Sequence, residues 1–516
     1  MARAGHPGAA ARHGRRLQSG HRVSEERRPR RRRAGAGRRG RDRPRDEAAA
    51  QGAEVTGVDP RGAARTVSDI LTANRPSETG KEFTVRRRDF LASAALAAAA
   101  RRSSGAVRQA PLRARRFGPL YYDDAEQKEL ADVLASRQPF RWYGDGKEAP
   151  AKVLTFEREL ASRMQVRYAL AVTSGSAALT TALAALGVGP GDEVILPAWT
   201  WYACYNAVIH CGALPVFAEI DDSLNVDPND IEARITPQTK VIMVVHLLGV
   251  SCDMDPILAL ARRRGVKVLE DCAQALGGSY KGRPLGSLGD INIYSLQISK
   301  TITAGEGGAV VTNDPALFER AARYHDLGIL RPPHEKMLGG AGGGMLPGNQ
   351  YRMSEFTGGV LLAQLRKLDR IVADIRAVAQ RVHEGIRDLP GVELRRIPEP
   401  GSDLGSSVFL KFRGKDERDR FIHAMDKENV PARPPGGSVV LPMQPHIERK
   451  VTVHPAWPSF ASERGRSIRY GAECCPRTTE ILDRFAGVSL DPKLTRRDTD
   501  DIVAAIRTVH PAATRT

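Results

Sequence analysis

Three stretches of this 516-residue chain carry residue types that could do chemistry at a shared site. The first is Ser295-Leu296-Gln297-Ile298-Ser299-Lys300-Thr301-Ile302-Thr303-Ala304-Gly305-Glu306-Gly307-Gly308, in which one lysine stands between an apolar run and a glycine turn. A lysine in a half-buried cleft loses its proton more readily and can act as nucleophile and base. A lone lysine elsewhere is usually a solvated surface charge. The second is Gly265-Val266-Lys267-Val268-Leu269-Glu270-Asp271-Cys272-Ala273-Gln274, with two acids at the carboxyl end of an apolar run. Open α/β sheets place ligands at that end, and a carboxylate there is costly unless it meets a positive partner. A helix cap or an internal ion pair would satisfy the same residues. The third is Val172-Thr173-Ser174-Gly175-Ser176-Ala177-Ala178-Leu179. Here a strand end, a small-residue turn and a helix start bring N–H groups and a serine hydroxyl together. That is a phosphate cradle, and also what an ordinary serine N-cap looks like.

Together the three fit one cofactor. Pyridoxal 5'-phosphate needs a phosphate site, a lysine for its aldehyde and an acid facing its pyridine nitrogen. Trp199-Thr200-Trp201 adds an aromatic face on which the ring could stack.

The elements that must position these residues alternate. Strands are expected at Glu193–Leu196, Pro215–Ile220, Lys240–His246, Val266–Glu270, Asp290–Leu296 and Ala309–Thr312. Helices are expected at Ser176–Leu186, Met254–Arg264 and Pro315–His325. Such alternation predicts a mostly parallel sheet covered by helices. The continuously apolar strands are those of a sheet buried on both faces. A long amphipathic pattern runs from Gln364 to about Leu389. Beyond it lie a strand at Val408–Phe412 and helices at Lys415–Lys427 and Thr499–Val509. The expected organisation is a large sheet domain over 117–375 and a smaller α+β domain over 376–516. Gly339–Gly344 reads as a glycine-rich loop open to motion.

From about Phe117 onward the chain resembles the sugar aminotransferase family named after DegT, DnrJ, EryC and StrS. The resemblance rests on SGSAAL, GPGDEVILPAWTW, MDPILALARRRGVKVLEDCAQALGGSYKG, GDINIYSLQISKTITAGEGGAVVTND and NQYRMSE, in that order. It implies an α/β, fold-type-I, pyridoxal-phosphate-dependent enzyme. In that reading Lys300 binds the cofactor, Asp271 pairs with its pyridine nitrogen and Gln274 contacts its phenolic oxygen. Trp201 stacks on the ring, and Gly175, Ser176, Ala177 and Ser295 hold the phosphate. The family motif is Asn-Tyr-Arg-Met, whose Asn reaches the partner subunit's phosphate site. Here that position is Gln350, with Asn349 beside it, so either could make the contact. The implied reaction moves an amino group from L-glutamate or L-glutamine to a keto-sugar, nucleotide-linked, or to a keto-cyclitol. The SLQxSK wording is similar to the cyclitol branch. The implied assembly is a homodimer with shared active sites. Two alternatives stay open: a cofactor-binding regulatory protein with weak turnover, and a dehydratase, whose relatives carry histidine where Lys300 stands.

Composition sets the outer limits. The net charge of +18 resides wholly in residues 1–116, because residues 117–516 carry 49 basic and 49 acidic residues. The main body is therefore not a basic nucleic-acid binder. Residues 1–84, rich in Arg, Ala and Gly, read as a disordered segment or as translated sequence ahead of a later start, in preference to a nucleic-acid-binding arm built around Arg27 to Arg33. Within 85–116, Arg86-Arg87-Arg88-Asp89-Phe90-Leu91 and an apolar run to Ala100 resemble a twin-arginine export signal followed by a linker. Export would place the protein in the periplasm, whereas nucleotide sugars and glutamate point to the cytoplasm. No apolar run is long enough to span a membrane. The six cysteines form no CxxC pair. His210, His246, His325 and His334 lack ligand spacing, so no metal site is proposed.

Overall fold

A computed structural model describes residues 105–112, 118–141 and 150–515. The Arg-rich segment 1–84 and the twin-arginine stretch at Arg86–Leu91 lie outside the described residues.

Seven strands form the central sheet: β1 (Tyr168–Val172), β2 (Glu193–Pro197), β3 (Leu214–Ala218), β4 (Thr239–Val245), β5 (Lys267–Asp271), β6 (Ile291–Ser295) and β7 (Gly308–Thr312). Their order is β1-β7-β6-β5-β4-β2-β3. All run parallel except β7, which is antiparallel to both its neighbours. The six expected strands are present within two residues of their expected ends, and β1 precedes the cradle. Alternate residues of each strand enter different cores. In β1, Ala169 and Ala171 join the core on one face. Tyr168, Leu170 and Val172 join the core on the other. Helices therefore cover both faces, as the continuously apolar strands require.

The topology brings the chemistry to one edge. The register pairs Val172 with Gly308, Gly308 with Ser295, and Asp271 with both Ile293 and Val245. The carboxyl ends of β4, β5 and β6 thus lie side by side, and that of β1 lies on the same edge across the start of β7.

A second sheet is wholly antiparallel: β8 (Glu393–Leu394), β9 (Ser407–Lys411) and β10 (Phe485–Ser489). Helices Lys415–Lys427 and Arg496–Ala513 complete its own core. The helix Leu368–Ile386 bridges the two cores. Its buried residues recur at helical spacing, and the first of them, Leu368 to Ile375, enter a core of the large sheet. The rest, from Val378 to Ile386, enter the core of the small one.

Residues 105–112 also belong to this body. Arg108 bridges Asp498 at 2.8 Å and Asp501 at 2.9 Å, and Leu112 is buried in the small-sheet core. In the glycine-rich loop the N–H groups of Gly342 and Gly343 donate to the Glu319 carboxylate. Among the described residues no helix is long and apolar enough to cross a membrane.

Candidate functional site

The expected cradle, carboxylate and lysine owe their places to strand ends. Helix Gly175–Ala185 starts immediately after β1, with Ser174 as its N-cap. The Ser174 hydroxyl accepts from Ala177 N–H at 3.1 Å. The N–H groups of Gly175 and Ser176 have no intrahelical acceptor and face outward with the positive end of the helix dipole. Ala177 is therefore buried in the cap itself, and the open donors are those of Gly175 and Ser176. Ser295, the last residue of β6, closes the cradle. A Cβ on Gly175 would sit 2.7 Å from Ser295 Cβ and 2.9 Å from its Oγ, so only glycine fits there. Gly175→Val is expected to weaken cofactor binding by about 10–100-fold, the ~1–3 kcal/mol of an overpacked contact. A fluorescence titration with pyridoxal phosphate reads this loss directly.

Asp271 ends β5. Strand alternation points it to the face covered by helices Gly175–Ala185 and Tyr202–His210, the same face as Ser295. One carboxylate oxygen accepts from Ala273 N–H at 2.9 Å, and the other from the Cys204 thiol at 3.3 Å. It is nearly fully buried, and no cation bonds to it among the described residues. Burial pushes its pKa up, opposed by the Ala273 N–H, the Cys204 thiol and the more distant charge of Lys300. A protonated pyridine nitrogen would supply the missing partner.

Glu270 points to the opposite face and is satisfied there. His246 Nε2 lies 3.0 Å from Oε2, and the N–H groups of Gly286, Leu288 and Gly289 also donate to the carboxylate. His246 Nδ1 accepts from Cys252 N–H. His246, Glu270 and Cys272 have ligand-type atoms within 4.8 Å of one another. The imidazole and carboxylate lone pairs are already engaged, so the cluster seats the 286–289 turn on the strand.

Lys300 lies on the loop joining β6 to β7. That loop is closed by Leu296 N–H to Gly307 O (2.8 Å), Ile298 N–H to Gly305 O (2.9 Å) and the Thr303 hydroxyl to Leu296 O (2.8 Å). It is braced from outside by Gly118 N–H to Ile298 O and the Tyr122 hydroxyl to Thr303 O, both 2.8 Å. Lys300 opens on a cavity of about 190 Å³ shared with Gln274, Ser299, Leu248, Leu404 and Ser406. Gln274 Oε1 accepts from Leu248 N–H at 2.8 Å. A backbone N–H can only donate, so the amide's NH2 is the end left for a ligand.

Trp201 caps the helix Tyr202–His210 and leaves half its surface exposed, while Trp199 is core. Asn349 and Gln350 follow a different course. Their segment passes the end of β1, where Tyr351 O accepts from Thr173 N–H. The Asn349 amide donates to the Tyr324 hydroxyl at 2.9 Å. Gln350 is exposed, and its side chain makes no hydrogen bond among the described residues. Cys204 and the far wall of the cavity escaped the sequence reading. Nothing in the spacing of Trp201 and Cys204 marks the thiol as facing a strand end 67 residues further along the chain.

Residues 122–507 match the profile of the DegT/DnrJ/EryC1/StrS aminotransferase family. The chain belongs to that family. Members are pyridoxal-phosphate-dependent aminotransferases, and so is this chain. It is similar to GDP-perosamine synthase of Escherichia coli O157:H7, at 35% identity over 333 residues, 62% of this chain and 87% of that protein. Among solved structures it is similar to 3-amino-5-hydroxybenzoic acid synthase, with a TM-score of 0.63 and 28% identity over 78% of this chain and 99% of that one. It is also similar to DesI, solved in the presence of its TDP-sugar product, with a TM-score of 0.61 and 27% identity over 80% of this chain and 95% of that one. The family's cofactor fits the residues present: a cradle that a Cβ would fill, a buried carboxylate with no bonded cation among the described residues, and a lysine at the mouth of a cavity.

Proposed function

We propose that this aminotransferase carries an amino group from L-glutamate or L-glutamine to a keto-sugar or keto-cyclitol. The observation that carries the reading is the convergence of Gly175, Ser295, Asp271 and Lys300 at one sheet edge. Bound there, pyridoxal phosphate supplies an electron sink and carries the amino group between donor and acceptor. The chain's own residues do the rest. Gly175 and Ser176 N–H and the Ser295 hydroxyl hold the phosphate. Asp271 keeps the pyridine nitrogen protonated. Trp201 stacks on one face of the ring, and the Gln274 NH2 donates to the phenolic oxygen. Lys300 holds the cofactor at rest, and then its Nζ takes the proton from the donor's α-carbon.

The reading includes a second copy of the chain. Asn349 is committed to Tyr324, so the free amide of Gln350 is the group that reaches the partner's cradle. The relatives divide on the acceptor. GDP-perosamine synthase and DesI are named or solved with nucleotide-linked sugars, whereas 3-amino-5-hydroxybenzoic acid synthase is named for a carbocycle. The test is to load the protein with amino groups from each donor, remove the donor, and present nucleotide-linked keto-sugars and keto-cyclitols separately. Mass spectrometry should find one class aminated. A protein that bleaches with neither donor contradicts the reading.

A further inference from the structure

Cys204 is a buried thiol with no part in the proposed chemistry, yet it touches the carboxylate on which that chemistry depends. It lies in the first turn of helix Tyr202–His210, where Cys204 N–H donates to Trp201 O at 3.2 Å. Its Sγ is 3.3 Å from Asp271 Oδ2 and 3.4 Å from Thr200 Oγ1. Cys204 and Thr200 are both fully buried. Burial together with the neighbouring Asp271 charge holds the thiol far above its ordinary pKa, so it stays protonated and donates. Thr200 belongs to the short strand Trp199–Thr200, which pairs with Val439–Val440 and so is fixed by a distant part of the chain. The segment carrying the ring-stacking candidate Trp201 therefore also locates Cys204.

We propose that Cys204 is a positioning residue. Its thiol fixes the rotamer of Asp271, and as a weak donor it does so without supplying a charge that would compete with the cofactor's ring nitrogen. The inference rests on Asp271 being the ring-nitrogen partner. A lysine or arginine at this point would neutralise Asp271 permanently. An apolar residue would leave Oδ2 without a donor, favour the neutral acid, and let the side chain turn. The S–H group lies between these limits.

Other groups also act on Asp271. Lys300 acts from the β6–β7 loop and His246 from the end of β4, both through their charge. Ala273 N–H holds the other oxygen. Glu270 and Cys272 flank Asp271 in sequence, and the Glu270 carboxylate is satisfied on the opposite face.

The test uses the full chain and pyridoxine 5'-phosphate, which keeps the ring and phosphate but lacks the aldehyde that would react with Lys300. Dissociation constants are measured by tryptophan fluorescence across pH for wild type, Cys204→Ala and Cys204→Ser. The ligand's own titration cancels in each ratio. Removing a donor to the charged form raises the Asp271 pKa, so Cys204→Ala should bind more weakly, and the gap should widen as pH falls. A pKa higher by about one gives up to about tenfold at the acid end. Cys204→Ser, which restores a donor, should close most of that gap. A gap that is constant with pH, no gap, or a serine variant as weak as alanine would each overturn the proposal. A wild type that binds the analogue with no loss at acid pH would instead show that Asp271 is not the ring-nitrogen partner.

Discussion

Lys300→Ala should abolish turnover while leaving the cofactor site standing. Removing a positioned general base costs about 10²–10⁴-fold, and this residue also holds the cofactor between turnovers. The loss should therefore reach the upper end, about 10⁴-fold, in the single-turnover rate with either donor. The cradle and Asp271 lie on other elements. Lys300 is carried by a loop closed through backbone bonds at Leu296 and Ile298, so truncating its side chain leaves the loop's frame intact. The variant should accordingly bind pyridoxal phosphate non-covalently and keep its melting temperature within a few degrees. A variant that retains turnover within tenfold of wild type would remove Lys300 from the chemistry.

Asp271→Asn should move activity and stability in opposite directions. An amide cannot keep the pyridine nitrogen protonated. Breaking a buried charge pair costs about 3–5 kcal/mol, or about 10²–10³·⁵-fold in rate. Without cofactor the sign reverses. Burial raises the Asp271 pKa above its unfolded value. The folded state then binds more protons than the unfolded state between those two values. Stability falls as pH rises through that window, and the loss is complete above it. At neutral pH the cofactor-free protein therefore carries the cost of a buried carboxylate. That cost is about 1.4 kcal/mol for every tenfold weakening of the acid relative to the unfolded chain. Asparagine removes it. Melting curves of the cofactor-free proteins should show the variant more stable at neutral pH, with the difference vanishing as pH drops below the unfolded aspartate pKa. A variant less stable than wild type at neutral pH would contradict this account of Asp271.

Much of the site was legible because its residues follow apolar strands whose ends sequence periodicity marks well. Asp271, Gln274, Ser295, Lys300 and Gly175 each lie within a few residues of such an end. What escaped depends on contacts between distant parts of the chain. The strand Phe485–Ser489 is short and contains Gly487, which weakens a strand pattern. It exists because Gly487 lies against the Phe409 ring of β9, where a side chain would collide. Ahead of Gln364 the helix Glu355–Arg366 lies outside the expected elements, and Gly358 and Gly359 weaken its helical pattern. In the structure they permit close packing. A Cβ on Gly358 would lie 2.5 Å from Val153 Cγ2, and one on Gly359 would lie 3.3 Å from Glu129 O. The cavity's far wall, at Leu404 and Ser406, arrives from the loop before β9, more than a hundred residues after Lys300. No local pattern links them.

The central claim is that Lys300 holds pyridoxal phosphate at the edge where Asp271, Ser295 and Gly175 meet. Borohydride reduction of the cofactor-loaded full chain fixes the cofactor to whichever amine carries it, and peptide mass spectrometry then locates that amine. The account predicts the added mass on the peptide containing Lys300 and its absence from Lys300→Ala. A label on any other lysine, or none after loading, would contradict it.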